Sequence, residues 1–370
     1  MLLGIDVSTL LEENAANAKY FKDGKLCDPL KEFRQNNVTL IRLRVWNDPY
    51  SVDGKPYLGG TSSIENVIKI INLTKDYGFS YIIDFHYSDF WVDPGKQILP
   101  KAWKELGYHE LKKVAGEFTR DSLNRIKKET NADIPYIQIG NEITNGFLWP
   151  FGALIDQGKG KVRGNYSKFA SLLTHFTNIA KEVYPNAKTI IHLERSNEYM
   201  VYDELFTELT SRNVPFDLIG MSYYPYWHGT FKELFFNIDY CHKKFNKDIM
   251  IMELGYGFTL EDYIFTNNGV NQMKINPDEI KNINIPYPVT PKGQETFIEE
   301  FLKECKRRDY IEGVIYWEPL WIPGDNICWA SKEGQAYIHE EGKSTRNEWS
   351  NQCLFDYQGN MLPGFNKFKL

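Results

Sequence analysis

Eight short apolar runs, each followed by a more polar stretch, constrain this chain more than any other feature. They occupy residues 3–7, 38–46, 79–89, 134–142, 187–194, 216–225, 248–256 and 312–319. Each is a nearly continuous run of strand-favouring residues, of the length expected for a strand covered on both faces. The segments between them carry helical periodicity. Residues 62–78 place apolar side chains at 64, 67, 68, 70 and 71 and then reach Gly78, a helix terminator. ELKKVAGEFTRDSLNRIKKET, NYSKFASLLTHFTNIAKEVYP and GQETFIEEFLKECKRR have the same spacing. Strand–helix alternation builds a parallel sheet, and eight strands close it into an α/β (β/α)8 TIM barrel. An open doubly wound sheet would want a glycine-rich phosphate loop after an early strand, and the sequence has none. With no internal repeat or linker, residues 1–370 are expected to form a single (β/α)8 domain. Its long loops follow strands seven and eight, at 257–291 and 320–370.

Composition narrows the function. Lys plus Arg number 43 against 49 Asp plus Glu, a net charge of −6, which argues against a phosphate-binding surface or a nucleic-acid partner. No run approaches the roughly 18 apolar residues of a membrane-spanning helix. Met1-Leu2-Leu3 leads straight into the first strand with no signal peptide, which fits a cytoplasmic protein or a mature form restarted at Met. The five cysteines show no CxxC spacing, which excludes a zinc ribbon or thioredoxin-like motif, and Cys328 and Cys353 are candidates for one bridge. Aromatic residues make up 15% of the chain. They serve either a large core or a groove that stacks on sugar rings, and composition does not choose between the two.

Polar residues collect at the C-terminal ends of the runs, where a barrel builds its active site. Strand two ends with Arg42 and Arg44, strand three with Asp84, His86 and Asp89, and strand four with Asn141-Glu142. Strand six ends with Tyr223-Tyr224, strand seven with Glu253 and strand eight with Trp317-Glu318. Strands four and seven face each other across a barrel mouth. Two carboxyl groups on opposite sides of a bound sugar are what glycosidic cleavage needs, one protonated to donate to the leaving oxygen and one ionised. The alternative for each glutamate is an ordinary salt-bridged carboxylate. His86 is a potential metal ligand, but the first strand lacks an HxH pair, and His192 and His228 are scattered. Its expected role is to hydrogen-bond substrate or a catalytic carboxylate.

On these residues the chain resembles the family 53 glycoside hydrolases, the endo-β-1,4-galactanases of a large retaining (β/α)8 clan. The matching segments include GIDVSTL at 4–10, IRLRVWNDP at 41–49, DFHYSDFWVDPGKQ at 84–97 and QIGNEITNGFLWP at 138–150. Others are DLIGMSYYPYWHG at 217–229, ELGYGFT at 253–259, GVIYWEPLW at 313–321 and WSNQCLFD at 349–356. The resemblance covers essentially the whole chain. It implies retaining endo-hydrolysis of galactan or type I arabinogalactan, the side chains of pectin. Glu142 would be the acid/base and Glu253 the nucleophile, their carboxyl groups about 5–5.5 Å apart. Arg44 and Tyr223 would orient Glu253 and keep it ionised. Asn141 would hold the sugar 2-OH, His86 would line the same subsite, Trp317 would form its floor and Trp91 would be a stacking platform. Asp89 and Tyr224 complete the expected substrate-binding set.

Several bacterial relatives carry calcium in the loop after strand seven, on a DGDGH-like stretch. Here the corresponding stretch is TLEDYIFTNNGVNQMK, with only Glu261 and Asp262 as carboxylates. Calcium takes six to eight oxygens, so no metal or other cofactor is expected. A bent galactan chain would want angled aromatic platforms, drawn from Trp91, Trp149, Trp227 and Trp321, of which two at most would touch sugar. The long loops would wall the negative subsites. The expected partner is a polysaccharide substrate, with no nucleic acid or membrane, and the chain is expected to act as a monomer. Family resemblance implies a secreted or cell-surface location. The alternatives are a clan relative that cleaves mannan or xylan, and a barrel that binds glycan without cleaving it.

Overall fold

The computed structural model describes residues 1–154, 165–264 and 271–369. Eight parallel strands close a barrel in chain order: β1 (Leu2–Asp6), β2 (Val38–Val45), β3 (Ser80–Phe85), β4 (Tyr136–Ile139), β5 (Lys188–Leu193), β6 (Leu218–Tyr223), β7 (Asp248–Leu254) and β8 (Ile311–Tyr316). The outer helices are α1 (Pro29–Gln35), α2 (Ile64–Thr74), α3 (Tyr108–Thr130), α4 (Tyr166–Val183), α5 (Tyr199–Ser211), α6 (Phe231–Phe245) and α7 (Pro291–Cys305). Their starts follow from local chemistry. Ser63 caps α2 through the Asn66 N–H, Thr230 and Glu233 form a reciprocal capping box on α6, and Thr290 caps α7 just before Pro291. After β8 come a six-residue helix, α8 (Lys332–Tyr337), a 3₁₀ turn at Ser350–Gln352 and a terminal 3₁₀ turn, Pro363–Lys367. The terminal turn fills the gap between α7 and α1, with the Phe365 ring 4.5 Å from Phe33.

The strands begin close to where the apolar runs begin but end earlier. The run at 79–89 is strand only to Phe85, and the run at 134–142 only to Ile139. Beyond those points the backbone must turn over the mouth. Side chains alternate between two layers along each strand. Ile41, Leu43, Ile83, Phe85, Ile137, Ile191, Ile219, Ile251 and Val314 pack outward against the helices. Leu40, Ile82, Tyr136, Ile190, Leu218, Met250, Met252 and Ile315 form a separate apolar plug inside the barrel. One step further along the same inward register lie Asp6, Arg42, Asp84, Gln138 and His192, all fully buried. The barrel interior therefore passes from apolar to ionic toward the C-terminal mouth.

Cys328 and Cys353, the candidates for a bridge, do not form one. All five cysteines are free, and these two serve different loops. The Cys328 carbonyl accepts from Gly59 N–H, whereas the Cys353 thiol lies 3.6 Å from the Glu318 carbonyl. No described helix is long and apolar enough to cross a membrane.

Candidate active site

Two local departures from regular structure bring the glutamates to the mouth. After β4, Gly140 takes φ +80° and Glu142 φ +49°. A Cβ on Gly140 would lie 2.7 Å from Ile143, so glycine is needed there for space as well as for conformation. Glu142 itself occupies the left-handed region, which a non-glycine residue holds only when its surroundings demand it. On β7, Met250 and Met252 already face inward, so strict alternation would send Glu253 outward. The pairing of β7 with β8 shifts register between Ile251 and Leu254, and this bulge turns Glu253 inward next to Met252.

Glu142, His192 and Glu253 each place one polar atom within 4.8 Å of the others. The two carboxyl groups line a cleft of about 340 Å³ together with Asn141, Glu194, Tyr224, Trp317, Trp329 and others. Their partners differ. Glu253 Oε1 accepts from Arg42 Nη1 at 3.0 Å, and Oε2 accepts from the Tyr224 hydroxyl at 3.0 Å. Arg42 uses all five of its N–H groups, donating to Gln138, Asp6, Glu253, Asp84 and Asn141. Glu142 Oε1 accepts only a hydroxyl, Ser222 Oγ at 2.6 Å. Burial raises the Glu253 carboxyl above its ordinary value, and Arg42 and Tyr224 oppose that rise. Glu142 is pushed well above the ordinary range by burial, then by the charges of Glu253 and Glu194, with Ser222 alone pulling downward. The pair therefore holds one proton most readily on Glu142.

Several residues sit where the sequence places them, but two pairings shift by one or two positions. The cation on Glu253 is Arg42 and not Arg44. Both arginines face inward, but Arg44 lies one layer higher, bound to Asp6 and Glu318 and 4.6 Å from the Trp91 ring centre. The phenol on Glu253 is Tyr224 and not Tyr223. Tyr223 ends β6 facing outward, where it stacks on Phe301 and donates to the Gly229 carbonyl. Asp89 is fully buried outside the cleft, holding Asn47, the Asp48 N–H and Lys101. His86 lines the cleft without touching either glutamate. Its Nδ1 accepts from the Trp46 indole, leaving Nε2–H for Asp84. Asn141 lines the cleft with its Oδ1 accepting from Arg42, and Trp317 lines it too.

Of the four candidate platforms, Trp91 and Trp227 line the cleft, whereas Trp321 is fully buried and Trp149 lies outside it. Trp91 is only 4% exposed and packs against Trp329 at 4.5 Å, while Trp227 is 42% exposed. Both long loops contribute walls, through Lys274 from the loop after β7 and through Trp329 and Trp349 from the loop after β8. Sequence reasoning missed Glu194, Trp329 and Trp349 as cleft residues and Ser222 as the buried partner of Glu142. Glu194 and Ser222 were within reach of simple alternation, because they continue the inward registers of Ile190-His192 and Leu218-Gly220. Trp329 and Trp349 carry no such signal. Burial raises the Glu194 carboxyl to about 7.

The three atoms of Glu142, His192 and Glu253 are a potential cation cage, but Glu253 already accepts from the Arg42 cation and both ring nitrogens of His192 have partners in Gln138 and Ser222. In the loop after β7, part of the calcium-type stretch, 265–270, lies outside the described residues. Both oxygens of Asp262 bind the Arg346 guanidinium, which also contacts Gln272 Oε1 at 3.1 Å. An arginine cation on the one buried carboxylate of that stretch does not fit a calcium ligand set.

The sequence profile described as glycosyl hydrolase family 53 matches residues 2–368. An endo-beta-1,4-galactanase of Bacillus subtilis (strain 168) is 30% identical over 99% of this chain and 85% of its own length. The solved GH53 catalytic domain of Ignisphaera aggregans superposes with a TM-score of 0.85 at 34% identity, covering 99% of this chain and 95% of that one. A structure from a study of two fungal beta-1,4-galactanases gives a TM-score of 0.76 at 25% identity, covering 100% of this chain and 98% of that one.

Proposed function

Because this chain belongs to glycosyl hydrolase family 53 and is a glycoside hydrolase, we propose that it cleaves β-1,4-galactosidic bonds inside galactan or type I arabinogalactan chains, with retention of configuration. The observation that carries this reading is the pair of carboxyl groups, Glu142 and Glu253, with an oxygen of each within 4.8 Å across the mouth. Retaining enzymes hold their carboxyl groups roughly 5–5.5 Å apart, whereas inverting enzymes leave roughly 6.5–9.5 Å for a water. The galactanase names of the relatives supply the substrate.

In the first step Glu253 attacks the anomeric carbon and forms a glycosyl ester, while Glu142 gives its proton to the glycosidic oxygen as the C–O bond breaks. In the second, Glu142 takes a proton from water, the resulting hydroxide attacks the same carbon, and Glu253 leaves as carboxylate. Arg42 and Tyr224 donate to Glu253 whenever it is ionised. Asn141, which lines the cleft, would hold the sugar 2-OH through its amide. Trp227, exposed at the rim, is the platform with the most free ring surface. The Arg346–Asp262 contact supports a catalytic cycle without calcium in the loop after β7. The enzyme acts as a monomer on a polymer too large to enter a cell intact, which supports action outside the cell or at its surface.

The test is incubation with linear β-1,4-galactan, xylan, mannan and cellulose, reading new reducing ends, viscosity and the anomer first released. Cleavage of galactan with a fast fall in viscosity and initial β-product is expected. Preferred cleavage of xylan or mannan, or release of galactose alone from the start, would overturn the reading.

A further inference from the structure

Glu142 has two carboxyl oxygens, and only a proton on the one facing substrate is useful to an acid. The structure contains a chain of hydrogen bonds that reaches the other oxygen. Arg42 Nε lies 3.1 Å from Gln138 Oε1, Gln138 Nε2 lies 3.1 Å from His192 Nδ1, His192 Nε2 lies 2.9 Å from Ser222 Oγ, and Ser222 Oγ lies 2.6 Å from Glu142 Oε1. Arginine only donates, so Gln138 must present its oxygen to Arg42 and its amide N–H₂ to His192. If His192 Nδ1 accepts, its Nε2–H points at Ser222, and the Ser222 hydroxyl is free to donate to Glu142. Arg42, Gln138, His192 and Ser222 are all buried.

We propose that Ser222 and His192 are positioning residues that place the acidic proton of Glu142 on Oε2, with His192 neutral and protonated on Nε2. This rests on the acid/base role assigned to Glu142. The competing tautomer would use another contact. His192 Nδ1 also lies 3.1 Å from Asn141 Oδ1, to which an Nδ1–H would donate. Nε2 would then claim the Ser222 hydroxyl, and the 2.6 Å contact could be kept only by a Glu142 proton on Oε1, turned toward Ser222. Asn141 Oδ1 already accepts from Arg42 Nη2 at 2.9 Å, and with one Gln138 amide hydrogen on the Gly140 carbonyl at 3.0 Å the other is the one that His192 Nδ1 accepts. Burial, Arg42, His86 and His228 depress the His192 pKa well below its ordinary value, so the ring stays neutral. One guanidinium thus serves both glutamates, Glu253 directly and Glu142 through three intervening side chains.

The charged and titratable groups facing Glu142 are Glu253, Glu194 and Asp93, with Tyr202 and Tyr224 beside them. Against that fixed background, a hydroxyl donating to Oε1 favours the ionised carboxylate. The Ser222→Ala enzyme should therefore move the alkaline limb of kcat/KM on a galacto-oligosaccharide up by about half a pH unit to one unit. Its rate below that limb should fall about tenfold, and Ser222→Thr should restore the limb. In the unaltered enzyme, ¹⁵N NMR of labelled histidine should place the proton of His192 on Nε2. A proton on Nδ1, or an unmoved limb in a folded Ser222→Ala enzyme, would overturn the proposal. Glu142→Gln separates the two readings. If that variant keeps full activity on polymer, the acid/base role itself fails; if it loses it while the tautomer or the limb disagrees, only the positioning role fails.

Discussion

Glu253 and Glu142 face each other across one mouth, yet their surroundings are of opposite kinds. Glu253 sits on a strand, turned inward by a bulge, and its two oxygens meet a guanidinium and a phenol that act only as donors toward it. Glu142 sits past the end of a strand on a left-handed backbone, with a single hydroxyl partner and two further carboxyl groups, Glu253 and Glu194, acting on it. Fixed donors suit a group that must be an anion at the moment of attack. A neutral hydroxyl and neighbouring negative charge suit a group that must carry a proton and then lose it. The lesson is that two identical side chains take different chemical parts because of which strand layer supplies their partners.

The comparison breaks most visibly by removing the carboxyl groups. Glu253→Ala should lose on the order of 10⁴-fold in kcat on every substrate. Glu142→Gln should lose most of its activity on polymer and far less on an aryl glycoside with an activated leaving group, because such a group needs little acid help. Equal losses on both substrates would erase the distinction. In the unaltered enzyme the same distinction predicts a pH profile. The Glu142 pKa is raised, so the protonated acid persists above the ordinary glutamate range, and kcat/KM falls as pH rises through that raised value.

Arg42 tests the Glu253 side. Arg42→Met leaves Asp6, Asp84 and Glu253 without their shared cation, and removing one partner from a buried ionic cluster costs about 3–5 kcal/mol. Thermal unfolding should show a large loss in melting temperature together with loss of activity; an unchanged melting temperature would show that the cluster is not coupled to the fold.

The adjacent tyrosines sharpen the comparison at lower amplitude. Tyr224→Phe removes one donor from a carboxylate and should cost about 10- to 100-fold in kcat. Tyr223→Phe removes a bond to the Gly229 carbonyl and should cost about 1 kcal/mol of stability with turnover preserved. The reverse pattern would return the role to Tyr223. The smallest expected effect is that of a chelator. With Asp262 held by Arg346, EDTA should leave activity and melting temperature unchanged, and a fall restored by calcium would show that the loop binds metal.

How much of this was legible beforehand differs between fold and site. The eight apolar runs, their helical intervals and the two glutamates near strand ends are periodic or compositional signals, and they led to the barrel and to the face that carries the cleft. The partners of those glutamates were not legible in the same way. Arg42 and Arg44 both point inward, so alternation alone does not say which reaches Glu253; depth in the barrel does. Tyr223 and Tyr224 point to opposite faces, so an error of one position exchanges a core residue for a site residue.

By itself the sequence determined the alternation of strand and helix, the closure that eight such units permit, and the presence of two carboxyl groups at the ends of facing strands. These depend on local propensity and side-chain period, which a linear chain already contains. Only the tertiary structure decided that Glu253 points inward, because a register shift between neighbouring strands overrides the alternation begun at Met250. Only it brought Arg42, Gln138, His192 and Ser222, drawn from four different strands, into one line of hydrogen bonds. Such contacts join residues up to 96 positions apart, and their geometry is set by how neighbouring strands stagger around the barrel, which no single segment specifies.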